Sequence, residues 1–424
     1  MKRIWTALLC CWLMHEERAL AQVLPRGIGV INLGARQVWA DSGYYDDNGD
    51  VRTLGYKLDI DFEPSTMRSG KAGTDLKKLY DNIKKYDTNS GSGQNSIGDK
   101  LNLGSQKGIV KPSIAGKIFG IGFGVAKNLT LFAGTSFLDV KNDTDIEFSG
   151  PNNASEIKAQ LGDAAFDELK AGLDEASKLS RDTVLSLIHE TNQYKDISHW
   201  QYKGLGDTQV GFFTGLSRPI RRGQTYSLGV QGQLTLPTGP AYDPDSLTQI
   251  PLSQNTKSLG LSTDNRITWS YFAAGAELGG DYNFPFDRLQ RVPEDGESLI
   301  PITRKTRVHI QPGPSTNASL YSLFGNATYR GQYKFGLSRI YASKFSGSMA
   351  GDYNSLGSAT ASNEAYQELS MIITTVKIYK QHRFFAPFIL TLTGHDSVFG
   401  RNTSIKRYIQ LTLIVIFSSP MAGS

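Results

Sequence analysis

Outside its N-terminus the chain of 424 residues has no long apolar run, and its mean hydropathy is −0.30, so it does not cross a membrane on helices. Its two cysteines, Cys10 and Cys11, both lie in the N-terminal segment, which leaves the remainder without a disulfide framework. The formal net charge of +5 is spread along the chain with no basic stripe, so no nucleic-acid partner is expected. The histidines (His15, His189, His199, His309, His382, His395) show no metal-ligand spacing. His395-Asp396-Ser397 sets three catalytic residue types side by side, but neighbours on a strand or turn point apart, and a triad is made by geometry. Gly120, Gly122 and Gly124 have no helix after them, which excludes a dinucleotide loop; they read as relief of crowding in a curved strand. Asp46-Asp47-Asn48-Gly49-Asp50 departs from calcium-loop spacing, and Asn48-Gly49 reads as a hairpin turn. No catalytic, cofactor or metal site is assigned, and the chain is not read as an enzyme.

Glycine is abundant (44), as are tyrosine (19) and phenylalanine (20). That composition suits a soluble all-β protein and an outer-membrane barrel equally, since only half of each barrel strand faces lipid. The N-terminus favours export. Lys2 and Arg3 precede an apolar run from Ile4 to Met14, and Ala19-Leu20-Ala21 offers small residues for cleavage before Gln22. Residues 1–21 therefore read as a signal peptide. Leu9 is too bulky for a lipobox ahead of Cys10.

The clearest strand pattern lies between Gly204 and Gly239. From Tyr226 the side chains split at a period of two: Tyr226, Leu228, Val230, Gly232, Leu234 and Leu236 against Ser227, Gly229, Gln231, Gln233 and Thr235. The preceding stretch sets Val210, Phe212, Thr214 and Leu216 against Gln209, Gly211, Gly215 and Ser217, with Phe213 as the exception. Each run is about ten residues, the length of a tilted membrane-spanning strand. We expect Gln209, Ser217, Ser227, Gln231, Gln233 and Thr235 to face a lumen. Tyr226, Leu228, Val230, Leu234 and Leu236 are expected to face lipid, with Phe417 of the closing strand.

Further strands are expected at 27–39, 113–126, 129–140, 267–284, 299–310, 318–330, 333–345, 368–379, 384–393 and 407–417. The last alternates Ile409, Leu411, Leu413, Val415 and Phe417 with Tyr408, Gln410, Thr412, Ile414 and Ile416, and a tail of 418–424 follows. Short turns at Lys127-Asn128, Arg218 to Gln224, Gly331-Gln332 and Lys380 to Arg383 would be periplasmic. Long connections at 42–109, 150–205, 237–265, 346–364 and 394–403 would be external, while Gln311 to Thr316 is short for that side. Thr74 to Tyr86 reads as a helix with Thr74 as N-cap. Residues 153–194 read as helical through Ile157, Leu161, Ala165, Leu169 and Leu173, with Ser180 capping a second helix. That acidic segment is either an amphipathic hairpin packing on itself or a lid over the mouth. The predicted fold is an all-β membrane protein: an antiparallel up-and-down transmembrane β-barrel over 22–417, with a helical insertion in a long extracellular loop. About twelve strands are expected, or fourteen if residues 51–109 supply two.

Gly204-Leu205-Gly206-Asp207 at a strand start, Leu236-Pro237-Thr238-Gly239 at a strand end, and Val125-Ala126-Lys127-Asn128-Leu129-Thr130-Leu131 resemble the MetA-pathway of phenol degradation family. That family is similar to the FadL class of outer-membrane channels for hydrophobic compounds. The resemblance covers roughly 113–240 and implies a passive channel for small hydrophobic or aromatic solutes in the outer membrane. Helical external loops would collect the ligand. FadL channels carry a plug ahead of the barrel, whereas the first strand here starts almost at once. The implied partners are outer-membrane lipids, the barrel assembly machinery and a small hydrophobic solute. The alternative is a surface or structural barrel whose loops contact another cell or protein. A general polar porin is disfavoured, since no constriction loop with opposed Arg and Asp/Glu rows is visible.

Overall fold

The computed structural model describes residues 23–39, 43–55, 59–69, 74–89, 96–161, 165–250, 252–253, 255–292, 300, 302–347, 361–376 and 386–418. The expected signal peptide, the Lys380 to Arg383 turn and residues 419–424 of the tail lie outside them, while Ser418 belongs to the last strand. Twelve strands form the barrel: β1 (Ile28–Trp39), β2 (Leu103–Ala126), β3 (Leu129–Asn152), β4 (Thr208–Arg221), β5 (Gln224–Leu236), β6 (Ser258–Thr268), β7 (Phe272–Asn283), β8 (Ser315–Gly325), β9 (Tyr329–Ile340), β10 (Ser362–Thr374), β11 (Phe388–Arg401) and β12 (Arg407–Ser418). Each pairs antiparallel with its neighbour in the chain, and β1 closes on β12 with Ile28 opposite Ser418. Closure leaves the ring itself no open edge, the condition for β structure in lipid. Two short strands, Ile60–Asp61 and His199–Leu205, extend the sheet to fourteen beyond one end of the ring.

The outer surface is apolar around the whole ring. Leu33, Ile121, Leu131, Leu216, Leu261, Leu278, Leu320, Leu337, Leu369, Leu392 and Leu411 are all exposed. Such a belt is far larger than a soluble monomer leaves uncovered. Aromatic residues rim it. Tyr271, Phe272, Phe324, Tyr329 and Phe417 are exposed at the short-turn end, and Tyr282, Phe284, Tyr341 and Phe399 at the long-loop end. Phe272 and Tyr282 stand ten residues apart on β7. That is about 33 Å of strand, or about 25 Å along the axis at a tilt near 40°, the height of an outer-membrane apolar band. The fold is a transmembrane β-barrel of the outer-membrane type.

Several rings lie on glycines of the facing strand. Gly29 pairs with Phe417, Gly232 with Phe212, Gly331 with Phe324 and Gly336 with Tyr366. A Cβ at any of these glycines would sit 2.2–2.4 Å from the ring.

The strand count is twelve, with a different membership from that expected. The described residues of the expected strand at 299–310 are not in the barrel. Lys305–Gln311 pairs with Phe286–Arg291 and Lys344–Ser346 in a separate small sheet. Its apolar side (Val292, Val308, Ile310, Phe345) is buried on itself, while Arg307 and His309 occupy the other side and would be costly in lipid. This also explains the short Gln311 to Thr316 connection, which stays on the long-loop side. Residues 258–265, expected as loop, instead belong to β6, with Leu259 and Leu261 outward and Ser258, Ser262 and Asp264 inward. Residues 267–284, read as one strand, are the end of β6, the turn at 269–271 and β7. The β8–β9 turn falls at 326–328, where Asn326 Oδ1 accepts the N–H groups of Thr328 and Tyr329, and not at Gly331-Gln332. Strands β4 and β5 run into their turn, leaving Arg222-Gly223, and β11 runs to Arg401 before a short connection at 402–406.

Strands β2 and β3 have 24 residues each, against 11–14 for the other ten, so this hairpin projects well past the ring. It carries a cap. From the first loop come α1 (Pro64–Arg68) and α2 (Thr74–Asn89); from the second, α3 (Ala154–Gln160), α4 (Asp167–Ser177) and α5 (Arg181–Ser186). Among the described residues, 51–109 thus supply helices, the short strands Val51–Thr53 and Ile60–Asp61 and the outer part of β2, not two further strands of the ring. Thr74 is the first helical residue rather than the cap. Ser180 does cap α5, exchanging backbone-to-hydroxyl bonds with Thr183. Met67, Leu79, Ile83, Leu101, Ile157, Leu169 and Leu173 bury each other in one core. The insertion therefore packs on the first loop as well as on itself.

Candidate functional site: the barrel interior and its mouth

Alternation puts every second side chain of the ring inside. Gln209, Gln231, Gln233 and Thr235 are buried, and Gln231 Nε2 donates to Gln233 Oε1 at 2.8 Å. Ser227 is half-buried and Ser217 exposed near the short-turn end, with their hydroxyls 3.1 Å apart. Tyr226, Leu228, Val230, Leu234 and Leu236 are half-buried on the opposite face, and Phe417 is exposed. Phe213, the exception in its strand, is explained by Phe132 of β3, whose ring lies 4.7 Å away.

Half-way along the barrel the inner wall carries a belt of paired charges and rings that no single strand reveals. Tyr321 donates to Asp264 at 2.5 Å and Ser319 to Glu277 at 3.1 Å. Lys334 Nζ lies 2.8 Å from Glu277 and 4.0 Å from Glu368. His395 Nδ1 is 3.0 Å from Glu368, and its ring stacks between Tyr366 at 5.0 Å and Tyr408 at 4.6 Å. Arg36 lies over the Tyr408 ring at 4.4 Å and donates to Gln410 at 2.5 Å. Nearer the long-loop end, Lys406 and Ser397 both donate to Glu364. The buried charges Lys334, Glu277, Glu368, Lys406 and Glu364 each have a partner of opposite sign, as a weakly hydrated interior requires. The three adjacent residues of the His-Asp-Ser run separate: His395 and Ser397 point in, and Asp396 points out to Arg407 at 2.9 Å.

The belt is flanked by apolar wall. At the short-turn end Ala273, Leu323, Ile372 and Ile389 pack beneath Tyr321. There the chain ahead of β1 lies against the inner wall: Leu24 N donates to Thr130 Oγ1 at 2.7 Å and Gly27 N to the Gly124 carbonyl at 2.8 Å. A Cβ on Gly124 would meet the Pro25 carbonyl at 2.2 Å, so this glycine makes room for the incoming chain. At the long-loop end Val38, Ile114, Leu138 and Val140 form an inward apolar patch with Tyr408, edged by Trp200 and Tyr202.

That patch is covered. The loop after β5 does not project outward but turns into the mouth, where Ile250 and Leu252 are buried on the patch. Asn142 Nδ2 donates to the Thr248 carbonyl at 2.8 Å. The loop is clamped at both ends. Asp245 takes Arg291 at 2.8 Å and Lys305 at 2.7 Å, and Thr256 donates to the Phe284 carbonyl at 2.5 Å. Arg291 is fully buried, also donates to the carbonyls of Asn192, Gln193 and Ile300, and lies 3.8 Å from the Tyr194 ring. It thereby ties the helical insertion, the inward loop and the small sheet together. Burial raises the Asp245 pKa, but its bonds to Lys305 and Arg291 outweigh that and hold the carboxyl below its ordinary value.

Near Asp46 the hairpin-turn reading holds. Asp46 Oδ1 accepts from the Asn48 and Asp50 N–H groups and Oδ2 from Arg52, while Gly43–Tyr45 pairs with Val51–Thr53. Among the described residues no cluster of three or more metal-ligating groups occurs.

No protein-family model and no curated protein matches the sequence. Among solved structures the fold is similar to an outer-membrane channel from Pseudomonas putida F1, at 11% identity over 93% of this chain and 97% of that one, with a TM-score of 0.47. A deltaS2S3 mutant of the TodX monoaromatic hydrocarbon channel is similar at 9% identity over 93% and 91%, TM-score 0.34. The CymD monoaromatic hydrocarbon channel is similar at 9% over 93% and 89%, TM-score 0.28.

Proposed function

We propose that this barrel is a passive outer-membrane channel for small hydrophobic or aromatic compounds, entered through the loop-covered mouth. The observation that carries this reading is the apolar patch of Val38, Ile114, Leu138 and Val140 on the inner wall of the mouth. A pore for fully hydrated solutes gains nothing from such a surface, whereas apolar solutes leave water to reach it. The charged belt beyond it favours solutes that also carry a hydrogen-bonding group, such as phenols, over alkanes. In this reading Gln209, Ser217, Ser227, Gln231, Gln233 and Thr235 line the lumen. Tyr226, Leu228, Val230, Leu234, Leu236 and Phe417 meet outer-membrane lipid, and the barrel assembly machinery inserts the chain after export.

The test is liposome uptake of labelled phenol, toluene and fatty acid, with single-channel conductance in parallel. Uptake of the aromatics above protein-free liposomes is expected; equal permeation would overturn the channel. A second reading, a surface barrel acting through its loops, is favoured by the separate core of the helical cap. Excising Ala154 to Tyr194 distinguishes them. Altered permeation supports a cap over the mouth, and unchanged permeation supports surface contact.

A further inference from the structure

The inward loop has the geometry of a strap. Its ends are fixed at Asp245, by Arg291 and Lys305, and at Thr256, by the Phe284 carbonyl. Between these anchors the described contacts are one hydrogen bond from Asn142 to the Thr248 carbonyl, Leu247 packed near the Asp245 end against the cluster of Ile146, Val184 and Ile188, and the burial of Ile250 and Leu252 on the patch. These two side chains cover aliphatic wall that would otherwise face the entrance. The strap gives that wall only a pair of branched four-carbon groups, about the bulk of one substituted benzene ring. A monocyclic aromatic offers the same chemistry to the same surface. Tyr408, part of the patch, is also part of the belt, stacked on His395 and covered by Arg36. A solute on the patch is therefore one residue from the first polar partners of the lumen.

We propose that the patch of Val38, Ile114, Leu138, Val140 and Tyr408 is the entry subsite for the solute, and that Ile250 and Leu252 are its resident occupants. Solute enters by displacing the strap between Asp245 and Thr256, which pivots on its two fixed ends. The proposal rests on the channel reading above and adds to it a site, a competitor and a moving part. Burial of each aliphatic side chain favours the covered state by about tenfold or more. The strap is thus held shut without solute, yet within reach of a ligand that binds the same wall.

The only native cysteines are Cys10 and Cys11, so a cysteine placed in the strap is easily followed against the parent as background. In detergent-purified protein, Leu252→Cys should react slowly with a water-soluble maleimide. Toluene or phenol should speed that reaction several-fold, while glucose should leave it unchanged. Ile250→Ser with Leu252→Ser should raise both single-channel conductance and aromatic uptake, and Val140→Ser should do so from the wall side. Labelling of Leu252→Cys that ignores toluene and phenol, in a protein whose parent form takes up aromatics, overturns the strap and leaves the channel standing. Absence of aromatic uptake by the parent and by the double serine variant overturns the channel and the subsite with it.

Discussion

The ring of Tyr366 lies on the bare backbone of Gly336 inside the barrel, so close that a Cβ there would stand 2.2 Å from Cζ. Tyr366 in turn stacks on His395, and His395 on Tyr408. The glycine thus sets the position of one end of an aromatic stack on the inner wall. Gly336→Ala should displace the stack at a cost of about 1–3 kcal/mol, the usual penalty of overpacking. Gly331 has the same relation to Phe324, with its closest approach at 2.4 Å, but that ring is exposed on the outside and can swing away. Gly331→Ala should therefore cost less. Urea titrations of refolded protein in detergent check the order, and equal losses would show that the inner ring is free to move.

Val230 and Gln231 are neighbours on β5 with opposite surroundings, Gln231 being buried and bonded to Gln233. Val230→Arg should impair insertion, because a charge at mid-bilayer on the lipid side costs roughly 2–4 kcal/mol. Gln231→Arg should assemble normally. Heat-modifiable mobility in outer-membrane fractions measures both, and the reverse order would mean that inside and outside are exchanged.

Lys334 is the buried cation between Glu277 and Glu368. Lys334→Met leaves two carboxylates facing each other across the inner wall, and removing one partner of a buried pair costs about 3–5 kcal/mol. The variant should melt earlier and, in planar bilayers, shift the reversal potential toward cation selectivity. Restored stability in Lys334→Met with Glu277→Gln would assign the loss to the unpaired carboxylate. No recovery would point to lost packing instead.

Arg291 is the central tie of the cap. Arg291→Met should speed protease cleavage in the loops around residues 192 and 300, while the barrel stays heat-modifiable. The pH dependence follows from Asp245, whose carboxyl is held below its ordinary value. Its contribution is complete above the unfolded carboxylate pKa near 3.9 and falls away as pH drops through the lower folded value. Cap resistance to an acid-active protease should therefore be flat above about pH 5 and decline below about pH 4. In Asp245→Asn the decline should be much smaller; an unchanged profile would place the sensitive group elsewhere.

The alternation at Tyr226–Leu236 and Arg407–Phe417 makes the barrel legible in the sequence alone, because lipid outside and polar surroundings inside impose a period of two on every strand. Turns written in local chemistry are legible too: Lys127-Asn128 and Asn48-Gly49 both fall between paired strands. The membership of the barrel is less so. Ser258–Thr268 and Lys305–Gln311 both alternate, and only the second sets Lys305, Arg307 and His309 on one face, a row that lipid does not tolerate. The candidate site is barely legible. Lys334, Glu368, His395 and Arg36 lie on four strands: register between successive strands sets Lys334 and His395 beside Glu368, and closure of β1 on β12 sets Arg36 over Tyr408. Ile250 and Leu252 sit in a loop that composition assigns to solvent. Their partners come from β1, β2, β3 and β12, so local pattern carries no trace of the contact, and the folded ring alone brings them under the same wall.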